Sequence, residues 1–290
     1  SLPKLTAGAV EAAATARTRA VFGEIIANTS LDVADVEALA DTCHRLGVPL
    51  LLDATTVTPY LMQPLSLGAD IIVHSTSKYI NGSGNAIGGM IVDAGRFKWD
   101  GARYPGLKDF LNCGPLAFTA RLRSRLWRNL GGCMAPFNAY LSLMGMETLG
   151  LRMQRICDNA LKLAGALERI DGFTVSYPAL PSSPYYELVQ RQFKGLGGGI
   201  INLRAGSAQR AHDLMKQLRY VSLASNLGDL RTLVIYPRAT IFVSETDEEA
   251  ARGGVYDDTL RVGVGIEDAD DLIEDFAKAA ATLKAAGGEA

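Results

Sequence analysis

Residues 48–53 read Val48-Pro49-Leu50-Leu51-Leu52-Asp53, and residues 71–78 read Ile71-Ile72-Val73-His74-Ser75-Thr76-Ser77-Lys78. Each starts as an apolar run of strand length and leads into a group that can carry charge. Runs that are apolar on both faces suit strands covered on two sides, which is the parallel-sheet pattern. In open α/β sheets, ligands bind past the carboxyl ends of the strands. Asp53 and Lys78 therefore mark a candidate site. From spacing alone, a plain salt bridge between the two explains them equally well.

Outward from these stretches the chain alternates strand and helix. Residues 21–26 are a further short apolar run. Val33, Val36, Leu39, Ala40, Cys43 and Leu46 recur at helical spacing, with Ser30 as the expected cap and Gly47 where a helix end favours positive φ. A short helix is expected around 59–67 and a strand over 86–93. Residues 116–130 and 136–167 carry long helical stripes. The last third changes rhythm: strand-like pieces at 173–177, 199–203, 222–224, 232–236 and 260–264 are joined by helices at about 207–218 and 268–286. The fold class expected is α/β, a mostly parallel sheet domain plus a smaller C-terminal α+β domain. The boundaries are 1–135 and 136–290, the second entered through a long helix. The glycine-rich stretch 195–199 lacks the strand-then-helix context of a nucleotide motif and reads as a loop.

Composition narrows the function classes. The chain has 290 residues, 48% hydrophobic and 21% charged, which is globular and long enough for two domains. A formal net charge of −2 gives no electrostatic case for a nucleic-acid partner. Arg121, Arg123, Arg125 and Arg128 read as a solvated or ion-paired helix face. No apolar run approaches the roughly 18–20 residues of a membrane span. The first eighteen residues lack a signal-peptide core, so a cytoplasmic location is expected. Cys43, Cys113, Cys133 and Cys157 form no CxxC pair, and His44, His74 and His212 are scattered. No metal site and no disulfide framework are expected. Cys43 and Cys157 fall on apolar helix faces as small buried thiols.

The stretch before Lys78 says more. Hydroxyls at Ser75 and Ser77, three residues and one residue earlier, suit a phosphate anchored beside an imine. A lysine whose pKa is lowered by its surroundings can form a Schiff base with an aldehyde. Asp53 would then hold a proton on a pyridine nitrogen, so that the ring acts as an electron sink.

Seven stretches share one resemblance: 21–61, 68–100, GPLAFTARLR (114–123), 136–164, YPALPSSPYYELVQRQF (177–193), SLASNLGDLRTLVIYP (222–237) and LRVGVGIEDADDLIEDFAKA (260–279). In this order the chain resembles the Cys/Met-metabolism enzymes dependent on pyridoxal 5′-phosphate, and most closely the O-acetylhomoserine sulfhydrylase type. The resemblance implies the aspartate aminotransferase-like fold of PLP-dependent transferases. It makes Lys78 the lysine that carries the cofactor and later moves a proton, and Asp53 the partner of the pyridinium nitrogen. Ser75 and Ser77 would bind the phosphate, Asn28 (in Glu24-Ile25-Ile26-Ala27-Asn28) would bond near the ring hydroxyl, and Thr55 would pack on the ring. Arg261 would clamp the substrate carboxylate with help from Asn226. Taken singly, Asn28 and Asn226 read as turn caps and Arg261 as a surface ion pair.

The implied reaction is γ-replacement on an O-acylated homoserine by sulfide or a thiol, giving homocysteine or methionine. Cystathionine γ-synthase and methionine γ-lyase activities are the alternatives within the cofactor class. An inactive or partner-dependent subunit is the alternative outside it. The family also implies a homodimer or homotetramer. The sequence departs from the family in three places. This sequence does not include the N-terminal part that the family fold carries ahead of the Asn28 element, whether through a real deletion or because that part is left out. Residues 108–113 join two stretches that the family holds apart by a longer loop; a hidden break there would show as a Cα–Cα step far above about 3.8 Å. Finally, Arg238 and Phe242 stand in a stretch that adjoins the family's substrate pocket, which suggests a substrate with another acidic group unless Arg238 points to solvent.

Overall fold

Short runs of branched and aliphatic residues become strands, and turn residues separate them. The structure, a computed structural model, describes residues 2–286. Val21–Glu24 (β1), Leu50–Asp53 (β2), Ile71–Ser75 (β3) and Gly89–Asp93 (β4) form one sheet in that order. β1 and β2 run parallel with Glu24 opposite Asp53, and β2 runs parallel to β3 with Asp53 opposite Val73. β4 returns antiparallel, with Gly89 opposite Ser75. One register thus brings Glu24, Asp53 and Ser75 to a common end of the sheet.

Ahead of the sheet, a helix spans Ala7–Ala13 (α1). The helix Val36–Arg45 (α2) buries Val36, Leu39, Ala40 and Cys43. Its cap is Asp35, whose side chain accepts from the Ala38 N–H; the expected cap, Ser30, lies too far upstream and instead accepts from the Asp32 N–H. Gly47 takes φ +66° beyond the helix end. The start of β2 is pinned by Asp70, 1% exposed, which accepts from the Leu50 N–H at 2.8 Å and faces His44 Nε2 at 3.0 Å. The short helix expected around 59–67 divides into Thr58–Leu61 and a 3₁₀ turn at Pro64–Leu67. Pro64 forces this, because it removes a helical donor. Residues 107–114 lie in a 3₁₀ segment, Pro105–Leu116, that is kinked at Gly114, where φ is +57°.

The long helical stripe is two helices, Pro136–Glu147 (α3) and Leu149–Leu167 (α4), broken at Thr148. α4 buries Met153, Ile156, Ala160, Leu163 and Leu167 along one face. A second sheet follows in the order β5-β6-β9-β8-β7, from Thr174–Ser176 (β5), Ile200–Arg204 (β6), Ser222–Leu223 (β7), Leu233–Ile235 (β8) and Thr259–Gly263 (β9). All its pairings are antiparallel except β7 with β8. Ala208–Gln217 (α5) and Ala269–Ala286 (α6) cover it. One apolar core runs through both halves, from Leu52 and Tyr79 to Ile156, Ile201 and Val262.

Cys43 and Cys157 are buried free thiols, as their helical spacing implies, while Cys113 and Cys133 are exposed. Of the arginine cluster, Arg123 lies over Trp127 at 4.9 Å and Arg125 over Phe110 at 5.8 Å. Among the described residues no group of His, Cys, Asp and Glu could hold a metal ion, and no helix is long and apolar enough to cross a membrane.

Candidate active site

The site is assembled from the carboxyl ends of three neighbouring strands. A cavity of about 150 Å³ is lined by Glu24, Asn28, Asp53, Thr55, Thr56, Ser75, Lys78 and Leu227. Glu24 ends β1, Asp53 ends β2 and Ser75 ends β3, so parallel pairing alone aligns them. The loop after β2 is locally locked. Asp53 Oδ1 accepts from the Thr55 N–H at 2.8 Å, and Thr55 Oγ1 accepts from the Ser75 N–H at 2.8 Å. Thr55 therefore stitches the two strand ends together beside the cavity.

Lys78 sits in the turn after β3, half-buried. Among the described residues it forms no ion pair with Asp53, although both line the cavity; its Nζ donates to Asn226 Oδ1 at 2.5 Å. The salt-bridge reading of the pair is not realised. Burial, first, and the charge of Arg261, second, hold the Lys78 amine below the usual lysine value of 10.5. Arg261, on β9, is 4% exposed. Its Nη1 donates to Asn28 Oδ1 and its Nη2 to the Asn226 carbonyl, both at 3.0 Å, while Nε has no acceptor. Arg261 is thus neither a surface residue nor ion-paired among the described residues. Burial pushes its pKa down. A buried guanidinium facing only neutral oxygens is complementary to an anion that a ligand would bring.

Asn28, Lys78, Asn226 and Arg261 form one hydrogen-bonded chain across the two sheets. Asn28 is aimed from both sides. Its backbone N–H donates to Glu24 Oε2 at 2.5 Å. The next residue, Thr29, takes φ +113°, a costly value for a β-branched side chain. Asn202, in β6, donates to the Thr29 carbonyl at 2.8 Å and holds that turn. Ser77 is placed differently from Ser75: its hydroxyl donates to the Gly88 carbonyl at 3.1 Å and accepts from the Gly88 N–H at 2.9 Å, so it braces β4 and does not line the cavity.

Against this geometry, the chain matches the family of Cys/Met metabolism PLP-dependent enzymes over residues 2–281. The chain belongs to that family. It is 39% identical over 277 residues to the homocysteine synthase of Schizosaccharomyces pombe, covering 90% of this chain and 65% of that protein. It is 37% identical to O-acetyl-L-homoserine sulfhydrylase 1 of Thermus thermophilus, covering 91% and 66%. A solved chain of Campylobacter jejuni, described as an O-acetylhomoserine (thiol)-lyase with a pyridoxyl-lysine phosphate, superposes with a TM-score of 0.89 at 32% identity, over 94% of this chain and 68% of that one. The chain thus spans about two thirds of the length of such relatives, just under it for the first two.

The family's cofactor fits the donor set present. An amine, a carboxylate from a neighbouring strand, a strand-end hydroxyl and an amide surround one cavity. These are the groups that an aldehyde, a ring nitrogen, a phosphate and a ring hydroxyl require. Two contributors escape sequence reasoning. Glu24 is a second carboxylate in the cavity, its pKa raised by burial and by the Asp53 charge, and lowered by the Asn28 N–H; its position opposite Asp53 depends on strand register. Gly228 packs directly on the Lys78 peptide. Arg238, where an acidic substrate was expected to bind, is spent elsewhere. It donates to the carbonyls of Phe242 and Glu245 and to Asp247 at 2.8, 3.0 and 2.5 Å. These bonds close its own loop, so the extra-acid expectation loses its basis.

Proposed function

We propose that this family member catalyses PLP-dependent γ-replacement on an O-acylated homoserine, with sulfide or a thiol as nucleophile and homocysteine or methionine as product. One observation carries the reading: a half-buried lysine and a buried arginine, which has no carboxylate partner among the described residues, share Asn226, while the arginine also holds Asn28, at the carboxyl edge of a sheet that also presents Asp53. The names of the similar sulfhydrylases and homocysteine synthase support the same reaction. When bound, pyridoxal phosphate supplies the electron sink for carbanion chemistry. Lys78 holds the cofactor and moves protons between substrate carbons; its lowered pKa leaves more of the amine neutral for that work. Asp53 keeps the ring nitrogen protonated, Ser75 takes the phosphate with Ser77 steadying the adjoining backbone, and Thr55 packs on the ring. Asn28 bonds to the ring hydroxyl. Arg261 receives the substrate carboxylate, and Asn226 orients both Arg261 and Lys78.

The cofactor-binding unit is assigned to residues 1–135 and the C-terminal unit to 136–290. A homodimer or homotetramer in the cytoplasm is the working assembly. The test is homocysteine formation from O-acetylhomoserine and sulfide by the full-length protein, with borohydride trapping of pyridoxal phosphate on Lys78. A Lys78→Ala variant that kept full γ-replacement would reject the assignment.

A further inference from the structure

The Lys78 side chain reaches Asn226, but its backbone is held from two directions that the proposed chemistry does not use. On one side lies Gly228, at φ +77°. A Cβ there would stand 2.5 Å from the Tyr79 nitrogen and 2.9 Å from the Lys78 carbonyl carbon. Only glycine combines that φ with that approach. On the other side lies Arg152 of α4, 7% exposed. Its Nη1 donates to the Tyr79 carbonyl at 2.7 Å. Its Nη2 donates to the Ile80 carbonyl at 3.2 Å and the Gly145 carbonyl at 2.6 Å, and its Nε to Thr148 Oγ1 at 3.0 Å.

Every one of these acceptors is neutral. Burying a cation without a counter-ion is costly, and burial does lower the Arg152 pKa. What the guanidinium holds is specific. The turn after Lys78 closes through bonds from Lys78 N to the Ser75 carbonyl and from Gly82 N to the Lys78 carbonyl. Arg152 takes the next two carbonyls, at Tyr79 and Ile80. The same fork takes the end of α3 at Gly145 and the helix break at Thr148. A lysine could not replace it, because an ammonium projects its donors from one point while the guanidinium spreads five in a plane.

We propose that Arg152 is a positioning residue for Lys78, clamping the Tyr79–Ile80 peptides against Gly228 so that only the lysine side chain moves during the reaction. This rests on the reading of Lys78 as the cofactor-carrying lysine. It adds a coupling between that lysine's backbone and the α3–α4 junction.

The test uses the full-length protein and its Arg152→Lys and Thr148→Ala variants. Each is incubated with pyridoxal phosphate and borohydride across a pH series, and modification of Lys78 is followed by peptide mass. The Lys78 amine faces Arg261 from β9, Asp53 from β2 and Glu24 from β1, so a displaced backbone changes its surroundings. Arg152→Lys should slow modification by about 10- to 100-fold and move its pH midpoint toward the ordinary lysine value. Thr148→Ala, which frees only Nε, should move both in the same direction by less. A parent-like rate and midpoint in both variants overturns the proposal. So does a slower rate with an unmoved midpoint, since general destabilisation alone gives that. Failure of the parent protein to be modified at Lys78 refutes the underlying functional reading instead.

Discussion

Replacing Arg261 with lysine keeps the charge and removes the fork. In the structure two guanidinium nitrogens are each directed at an oxygen 3.0 Å away, on Asn28 and Asn226. A substrate carboxylate would take paired donors from the same plane. Lysine can offer one such bond at a time, so at least one charge-assisted hydrogen bond is lost. Such bonds contribute about 1.5–3 kcal/mol each. At about 1.4 kcal/mol per tenfold, amino-acid affinity should fall by roughly 10- to 100-fold. The assay is spectral titration of the cofactor-loaded protein with O-acetylhomoserine and with 3-acetoxypropylamine, the same molecule without its carboxylate. Arg261→Lys should weaken the first and leave the second nearly unchanged. An equal loss for both ligands, or none for either, would refute the carboxylate role.

Three further outcomes follow from burial and charge. Lys78 has a folded pKa below its unfolded value of 10.5, so the unfolded chain binds more protons and charging the amine destabilises the fold at lower pH. Lys78→Met should therefore raise the melting temperature at neutral pH, with the gain shrinking as pH approaches 10.5. Glu24 has the reverse sign: its folded pKa lies above 4.5, so its penalty is present at neutral pH and fades as pH falls from the raised value to 4.5. Glu24→Gln should be the more stable form in neutral urea melts, and the difference should narrow in acid. Asp70→Ala strips a buried acceptor from the Leu50 N–H and from the half-exposed His44. It should cost about 1–3 kcal/mol in urea unfolding; an unchanged midpoint would mean that β2 is anchored elsewhere.

The strands were legible because apolar runs flanked by turn residues leave few alternatives; Asp53 ends its strand as read, and the strand read over 71–74 runs one residue further, to Ser75. The cap of α2 was misassigned because Ser30 and Asp35 are both good capping residues, and only tertiary placement chooses between them. The break at Thr148 was hidden, since the apolar stripe continues across it. Ser77 looked equivalent to Ser75, yet the turn after β3 directs its hydroxyl to Gly88. Glu24 and Arg152 were missed for different reasons. Glu24 gains its place from register, which no local pattern encodes. Arg152 did leave a signal: it is a charged residue beside Met153 and Ile156 on the buried stripe of α4.

The chain of bonds from Asn28 through Arg261 and Asn226 to Lys78 also has a kinetic meaning. Its links join residues 233 and 148 positions apart. Contacts of such separation form slowly, because large loops must close before they are rewarded. During synthesis, β1 to β3 are complete long before residue 261 has been made. Until then Lys78 lacks both the neighbouring cation and its amide acceptor. The Lys78 pKa should fall on the growing chain as the cavity buries the amine, and fall further when β9 brings Arg261 beside it. Lys78 modification is therefore a natural clock for the last stage of folding.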